Sequence, residues 1–259
     1  QAELPSHRWL QVTSKLNGVV CISKSVADEY EAWSQTQAIK RKTFFVDWFH
    51  LGADLTSTHI DQAQAEAVDA SVIEKLATRP TFLMVGTIEP RKGHLQVLKA
   101  FTALWQSGVD VNLVIVGKEG WTGVEAGSRR NLPEIVDSLN AHPERGERLQ
   151  WLAGVNDATL QEIYACASCL IFASEGEGFG LPIIEAAQKN LPIIARDLPI
   201  FREVAGEHAL YFRGDAPDAL QTSVKDWLKL HADDQHPKSS GIHWLTWEQS
   251  VARLLEVIS

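Results

Sequence analysis

The sequence predicts an α/β protein built on a doubly wound parallel sheet, and three observations lead there. Short apolar runs rich in β-branched residues alternate with stretches of helical periodicity, the pattern of a parallel sheet covered on both faces. A chain of 259 residues with 45% hydrophobic content can bury a large core. Six of the expected strands follow residue 80, enough for one doubly wound domain.

In chain order, a strand is expected over 19–23, a helix over 25–33 and a strand over 43–49. The last of these runs into His50-Leu51-Gly52-Ala53-Asp54, a turn and crossover. A lone strand cannot form a sheet. The 19–23 strand is therefore expected either on the edge of the main sheet or as the end of a second domain. A helix follows over 61–77. Strands over 81–86, 112–117, 149–152, 169–173, 193–195 and 209–212 then alternate with helices over 94–106, 131–140, 157–165, 182–189 and 199–204. The polar stretch 233–241, with Pro237 and two serines, reads as a loop. After it comes an amphipathic helix over 247–258, apolar at Trp247, Val251, Leu254, Leu255 and Ile258.

Composition removes several classes of function. With 24 basic and 33 acidic residues the formal charge is −9, which argues against nucleic acid as a partner, since phosphate backbones demand concentrated positive charge. Any phosphate ligand must be gripped locally. No apolar run approaches the roughly 20 residues that cross a bilayer, and the first residues, with Glu3, Pro5, His7 and Arg8, do not form a secretory signal. The expected location is the cytoplasm. Three cysteines are an odd number and suggest no disulfide framework. Cys166 and Cys169 form a C-x-x-C without a second pair for zinc, in an apolar stretch, and are expected as buried small hydrophobes.

Two segments have the makings of chemistry. In Phe82-Leu83-Met84-Val85-Gly86-Thr87-Ile88-Glu89-Pro90-Arg91-Lys92-Gly93, a buried strand ends in glycine and its loop delivers two adjacent cations just before a helix. Ligands of open α/β sheets bind at the carboxyl ends of strands, and a helix N-terminus offers free N–H groups and a positive dipole end. Arg91 can grip phosphate oxygens bidentately, and Lys92 adds a compact charge. An ordinary solvated turn would also accommodate the pair. The segment is neither a Walker loop nor a G-x-G-x-x-G turn.

The second segment, Ser174-Glu175-Gly176-Glu177-Gly178-Phe179-Gly180-Leu181-Pro182-Ile183-Ile184-Glu185, follows the 169–173 strand. Its glycines let backbone approach a ligand. Pro182 suits the first helical position, which would aim the amides near Gly178 to Leu181 into the cleft. Glu177 falls in the loop and Glu185 in the first helical turn, eight residues on, where the two could touch opposite ends of one ligand. Each also has a plain reading, as a solvated loop carboxylate and as a first-turn glutamate favoured by the dipole. A paired-carboxylate glycosidase is conceivable, but hydrolysis has no need of the Arg-Lys anion site. Together the two segments describe a pocket for phosphates and several hydroxyls, as in a nucleotide sugar.

From about residue 19 to the end, these residues resemble the retaining glycosyltransferases of family 4, also called glycosyl transferases group 1, which face two Rossmann-like domains across a cleft in the GT-B architecture. The most specific element is the E-x7-E pattern from Glu177 to Glu185 in Glu-Gly-Phe-Gly-Leu-Pro-Ile-Ile-Glu. The resemblance implies that Glu177 contacts the donor sugar and is the catalytic candidate, while Glu185 contacts the ribose. Amides around Gly178, Phe179, Gly180 and Leu181 would hold the sugar or diphosphate. The family's phosphate-binding cations map to Arg91 and Lys92, in a Glu-Pro-Arg-Lys-Gly run similar to members that transfer mannose in polysaccharide assembly. Many members carry arginine directly after the strand-ending glycine, where this chain has Thr87, and Arg91 is its expected substitute. Gly154-Val155-Asn156-Asp157 resembles the segment beside the nucleotide base, with Val155 and Asn156 as candidates; a helix N-cap at Asn156 or Asp157 is the alternative. Lys118, in Gly117-Lys118-Glu119-Gly120-Trp121, is a further donor-site candidate.

The resemblance implies a domain plan: a remnant of an N-terminal acceptor domain with its linker over 1–54, a donor-binding domain over 55–240, and a closing helix over 241–259 that crosses back toward the N-terminal domain. Members carry a full acceptor domain before the 19–23 strand, and only 18 residues precede it here. The expectation is a chain that binds donor but turns over poorly. The implied reaction transfers a sugar, mannose first, from a GDP-, UDP- or ADP-linked donor to a saccharide or lipid-linked acceptor hydroxyl with retention. No metal or other cofactor is required, and no Asp-x-Asp motif occurs. Peripheral attachment at the inner face of the membrane stays open. The alternatives are a non-catalytic nucleotide-sugar-binding module, a nucleotide-sugar epimerase of the same architecture, or a phosphorylase, for which no pyridoxal-binding lysine is identifiable.

Overall fold

The computed structural model describes residues 10, 12–13, 15–36, 44–54, 70–121 and 130–259. The N-terminal part is a small parallel βαβ unit: β1 (Gly18–Cys21), α1 (Lys24–Thr36) and β2 (Phe45–Trp48). The strand expected at 19–23 is therefore not alone and does not dock on the main sheet; it pairs with β2, Val19 opposite Val46. A core of Cys21, Ala27 and Tyr30, flanked by Trp33, Val46 and Trp48, closes the unit.

The stretch 61–69 of the expected 61–77 helix lies outside the described residues, and its end is α2 (Ala70–Leu76). Six parallel strands then form the main sheet: β3 (Thr81–Val85), β4 (Asn112–Val116), β5 (Leu149–Leu152), β6 (Cys169–Phe172), β7 (Ile193–Arg196) and β8 (Leu210–Phe212). Their order is β5-β4-β3-β6-β7-β8, so the winding reverses between β3 and β6. β4, β6 and β7 are buried along their whole length, as a sheet covered on both faces requires.

Helices cover the two faces in separate layers. On one face α3 (His94–Gln106) and α4 (Leu132–Asn140) pack Val97, Phe101, Leu104, Ile135 and Leu139 over Phe82, Leu113 and Ile115. On the other, α5 (Asp157–Cys166), α6 (Leu181–Gln188) and α7 (Pro199–Ala205) bury Ile163, Ile183, Ile184 and Phe201 against Leu83, Val114, Leu170 and Ile193. Each such side chain contributes about 1.5–3 kcal/mol of burial. Cys21 and Cys169 are buried, Cys166 is partly so, and all three are free. Burial pushes the Cys169 thiol well above its ordinary range, which makes it inert.

A helix absent from the sequence reading, α8 (Pro217–Ala232), completes the first layer. Its cue is the spacing of Leu220, Val224 and Trp227, which buries one stripe of an otherwise polar segment. The final helix, α9 (Trp247–Ile258), starts in a capping box between Thr246 and Gln249. It is moored to the 50–54 stretch: Ser250 Oγ donates to the His50 carbonyl at 2.7 Å, and the Trp247 amide donates to Asp54 at 2.9 Å.

Trp227 is fully buried, with its ring edge on Phe82 at 5.2 Å between centroids, and its indole Nε1 has no hydrogen-bond partner among the described residues. Trp227→Ala is expected to cost about 3–5 kcal/mol in urea unfolding. Trp227→Phe, which keeps the ring contact and sacrifices no hydrogen bond, should cost less than half of that.

Candidate functional site

Where the winding of an open sheet reverses, the flanking connections part to opposite faces and leave a crevice at the strands' carboxyl ends. That crevice lies beyond β3 and β6, and the two segments singled out in the sequence are the loops that leave these strands. After β3 the chain passes through a short 3-10 turn, Pro90–Lys92, to Gly93, whose φ of +76° is left-handed. A Cβ at Gly93 would lie 2.4 Å from the Ala173 carbonyl, so only glycine lets α3 begin against the end of β6. The loops are joined directly, the Glu175 amide donating to the Arg91 carbonyl at 2.8 Å.

This approach brings Arg91, Lys92 and Glu177 together. Lys92 Nζ is 2.5 Å and Arg91 Nη1 is 2.9 Å from separate oxygens of the Glu177 carboxylate, and Ser174 Oγ donates to it at 2.8 Å. Arg91 also donates to Glu89 and, at 3.0 Å, to the Gly176 carbonyl. Glu177 is 11% exposed and Lys92 14%, while Arg91 is 43% exposed. Burial alone would raise the Glu177 carboxyl, but Lys92, Ser174 and Arg91 outweigh it and hold the group below its ordinary value. Among the described residues no three His, Cys, Asp or Glu side chains come together in a way that could hold a metal ion.

Beneath the loop lies Arg196, the last residue of β7, which the sequence reading did not single out. Its buried guanidinium donates to the carbonyls of Ala173, Ser174 and Gly214, to Gln96 on α3 at 2.6 Å and to Asp215 at 2.7 Å. It fixes the start of the Glu177 loop from below. The signal was present, since a cation closing the apolar run Ile193-Ile194-Ala195 must find partners when buried. On the other side His94 is buried beside the Glu89 backbone. Burial lowers its pKa to about 4, so the ring next to Lys92 is uncharged at neutral pH.

The α6 N-terminus differs by one residue from expectation. Gly180 is the N-cap with φ +102°, Leu181 is the first helical residue and Pro182 the second, so Glu185 stands in the second turn, not the first. The amide-bearing stretch Gly178, Phe179, Gly180 and Leu181 still enters the helix from the crevice side of β6. Phe179 packs its ring into the second core layer. Glu185 accepts from Tyr164 Oη at 2.8 Å, and burial raises its carboxyl despite that bond. Gly178 meets the N-terminal unit: its carbonyl accepts from Ser23 Oγ at 2.8 Å, and a Cβ there would lie 2.8 Å from Ile22.

Lys118 and the 154–157 loop also come together, with Lys118 Cε 3.3 Å from where a Cβ on Gly154 would sit. Asn156 is the N-cap of α5, its side-chain oxygen accepting from the Thr159 amide at 2.7 Å. Val155 packs against the second core layer. The cap therefore occupies one face of Asn156.

The sequence model of the family described as "Glycosyl transferases group 1" matches residues 68–244. The chain is 44% identical over 252 residues to serotype-specific mannosyltransferase WbdA of Escherichia coli, covering 96% of this chain and 30% of that protein. It is 30% identical over 178 residues to O-antigen chain mannosyltransferase B of Escherichia coli, covering 67% of this chain and 43% of the other. The chain thus spans well under half the length of these relatives. Among solved structures, a glycosyltransferase from Rickettsia africae ESF-5 superposes with a TM-score of 0.69 at 19% identity, over 99% of this chain and 67% of that one. Anabaena Alr3699/HepE, solved in complex with UDP and glucose, gives 0.70 at 14% identity over 98% and 68%. At such identities the superpositions establish the fold, a Rossmann-like domain of the GT-B type.

Two measurements test the site's architecture. Arg196→Met strands several buried carbonyls and is expected to cost about 3 kcal/mol in thermal or urea unfolding. For Glu177, the folded carboxyl binds its proton more weakly than the unfolded chain does. Its contribution is complete above the unfolded value of about 4.3 and is lost as pH falls through the lower folded value. Glu177→Gln should accordingly flatten the acid limb of the stability curve, measured by urea unfolding at stepped pH.

Proposed function

Because the chain belongs to the glycosyl transferases group 1 family, we propose that it is the donor-binding part of a retaining mannosyltransferase in polysaccharide biosynthesis. The reading extends to this chain what the names of its relatives say of them. It divides the chain into the end of an acceptor domain with its linker over 1–54, a donor domain over 55–240, and a helix over 241–259 that returns to the acceptor domain. The observation that carries it is the convergence of Lys92 and Arg91 on Glu177 at the point where the sheet reverses.

In this reading the diphosphate of a nucleoside diphosphate sugar lies against Lys92, the half-exposed Arg91 and the free N–H groups at the start of α6. As the bond from the anomeric carbon to the diphosphate breaks, the leaving group gains negative charge, and these donors stabilise it where it develops. They would do the electrostatic work that a divalent cation does in other transferases. Glu177, kept ionised by its partners, accepts hydrogen bonds from donor-sugar hydroxyls and touches the reacting sugar. Glu185 accepts from the ribose hydroxyls, with Lys118 and the 154–156 loop beside the base. That HepE was solved with UDP and glucose supports a nucleotide and a sugar on this fold. GDP-mannose is the preferred donor, a saccharide or lipid-linked chain the acceptor, and the inner face of the membrane the place where the two meet. Among the described residues no helix is long and apolar enough to cross a membrane.

Calorimetric titration with GDP, UDP, ADP and GDP-mannose tests the reading, and GDP and GDP-mannose are expected to bind. Lys92→Ala and Glu185→Gln should each weaken binding by roughly tenfold or more, the size of a charged hydrogen bond. Burial raises the Glu185 carboxyl, so its ionisation at neutral pH costs stability, and Glu185→Gln should leave the protein as stable or more so. Silence from all four nucleotides would end the donor-site reading.

A further inference from the structure

A second recess lies where the N-terminal unit, the α6–α7 layer and α9 meet, a cleft of about 500 Å³. One wall is aromatic: Trp48, His50 and Phe179 follow one another with ring centroids 5.0 and 5.2 Å apart, and Trp244 also lines the cleft. His50 is fixed, its Nε2 2.6 Å from a Glu203 oxygen. The other wall, which includes Val204, Leu245 and Ala252, is edged by a polar stripe. Gln249, Arg253 and Glu256 stand at i, i+4 and i+7 on α9 and form one stripe along the cleft. The exposed apolar residues Trp247, Val251, Leu255 and Ile258 occupy a different face of that helix and do not line it.

This lining selects among ligands. A purely apolar occupant would gain nothing from the polar rim, where Arg253 and Glu256, 57% and 66% exposed, pair with each other at 2.7 Å. A phosphorylated one would meet Glu203 and Glu256, two carboxylates against one guanidinium. An uncharged pyranose suits both walls: its C–H face lies on indole and phenyl rings, and its hydroxyl rim bonds to amide, guanidinium and carboxylate. The volume falls within the roughly 300–1,000 Å³ of small-molecule sites. The cleft also shares a loop with the donor site, because Phe179 follows Glu177 by two residues.

We propose that this cleft is a second saccharide site, which holds an uncharged stretch of the growing oligosaccharide away from its reacting end. The inference rests on the glycosyl-transfer reading above. Its place beside the Glu177 loop would let a polymer stay bound while its end leaves the donor site between additions.

The test is titration of the full chain with α-linked mannotriose, followed by calorimetry and saturation-transfer NMR, with maltotriose as a comparison sugar. The triose should bind, and Trp244→Ala, at a 40% exposed side chain, should weaken it by roughly 5- to 10-fold, about one aromatic contact. Arg253→Ala should weaken it similarly, and GDP affinity should stay unchanged in both variants. Three results overturn the proposal: no triose binding while GDP binds, triose binding indifferent to both substitutions, or a cleft that takes the apolar dye bis-ANS and no sugar. If GDP fails as well, the underlying donor reading falls with it.

Discussion

A carboxylate withdrawn from water has to be compensated, and Glu177 is compensated three times over, by Lys92, by Arg91 and by Ser174. These partners come from two loops far apart in sequence, so the ion cluster demands that the ends of β3 and β6 lie side by side. The sheet order supplies that adjacency, and Gly93 removes the side chain that would have kept the loops apart. The same cluster leaves one cation, Arg91, 43% exposed while its guanidinium pairs with both Glu177 and Glu89. An arrangement that only stabilised the fold would have little reason to hold a buried charge at the mouth of a crevice, since buried ion pairs seldom outperform apolar packing.

A second carboxylate does comparable work between the two units. Glu203 on α7 accepts from the amides of Lys24 and Ser25 and from the Ser25 hydroxyl, and so caps α1, while its other contact is to His50. Burial would raise this carboxyl, yet Ser25, His50 and the two amides hold it below its ordinary value. A helix cap taken from another unit is an economical joint, because it satisfies N–H groups that every helix leaves open and positions the donor unit at the same time. Around it, Gly52 bridges to Leu245 and α9 is moored to the 50–54 stretch. The N-terminal unit is therefore held from two sides.

Much of this was legible in the sequence because it follows local rules. The strands of the main sheet are continuous apolar runs, and the E-x7-E segment and the Arg91-Lys92 pair each sit directly after one of them. What was not legible depended on distance. Nothing local reveals that β1 pairs with β2, because a parallel partner is a matter of what lies across the crossover. Arg196, Tyr164 and Glu203 act through partners many residues away. The N-cap role of Asn156 was open beforehand and is settled by its bond to Thr159. Helix α8 was missed for a different reason: its buried stripe of Leu220, Val224 and Trp227 is diluted by polar residues at half of its positions and is weak until Phe82 is seen beneath it.

The hydrogen bond from Ser23 to the Gly178 carbonyl has a mechanical meaning. It ties the bend between β1 and α1 to the peptide that follows Gly178, and the methyl of Ile22 fills the space that any side chain at position 178 would need. The N-terminal unit cannot tilt away from the sheet without drawing on that peptide. The loop thus works as a tether under load, and a displacement that begins in the N-terminal unit reaches the residue bearing the carboxylate through its immediate neighbour in the chain.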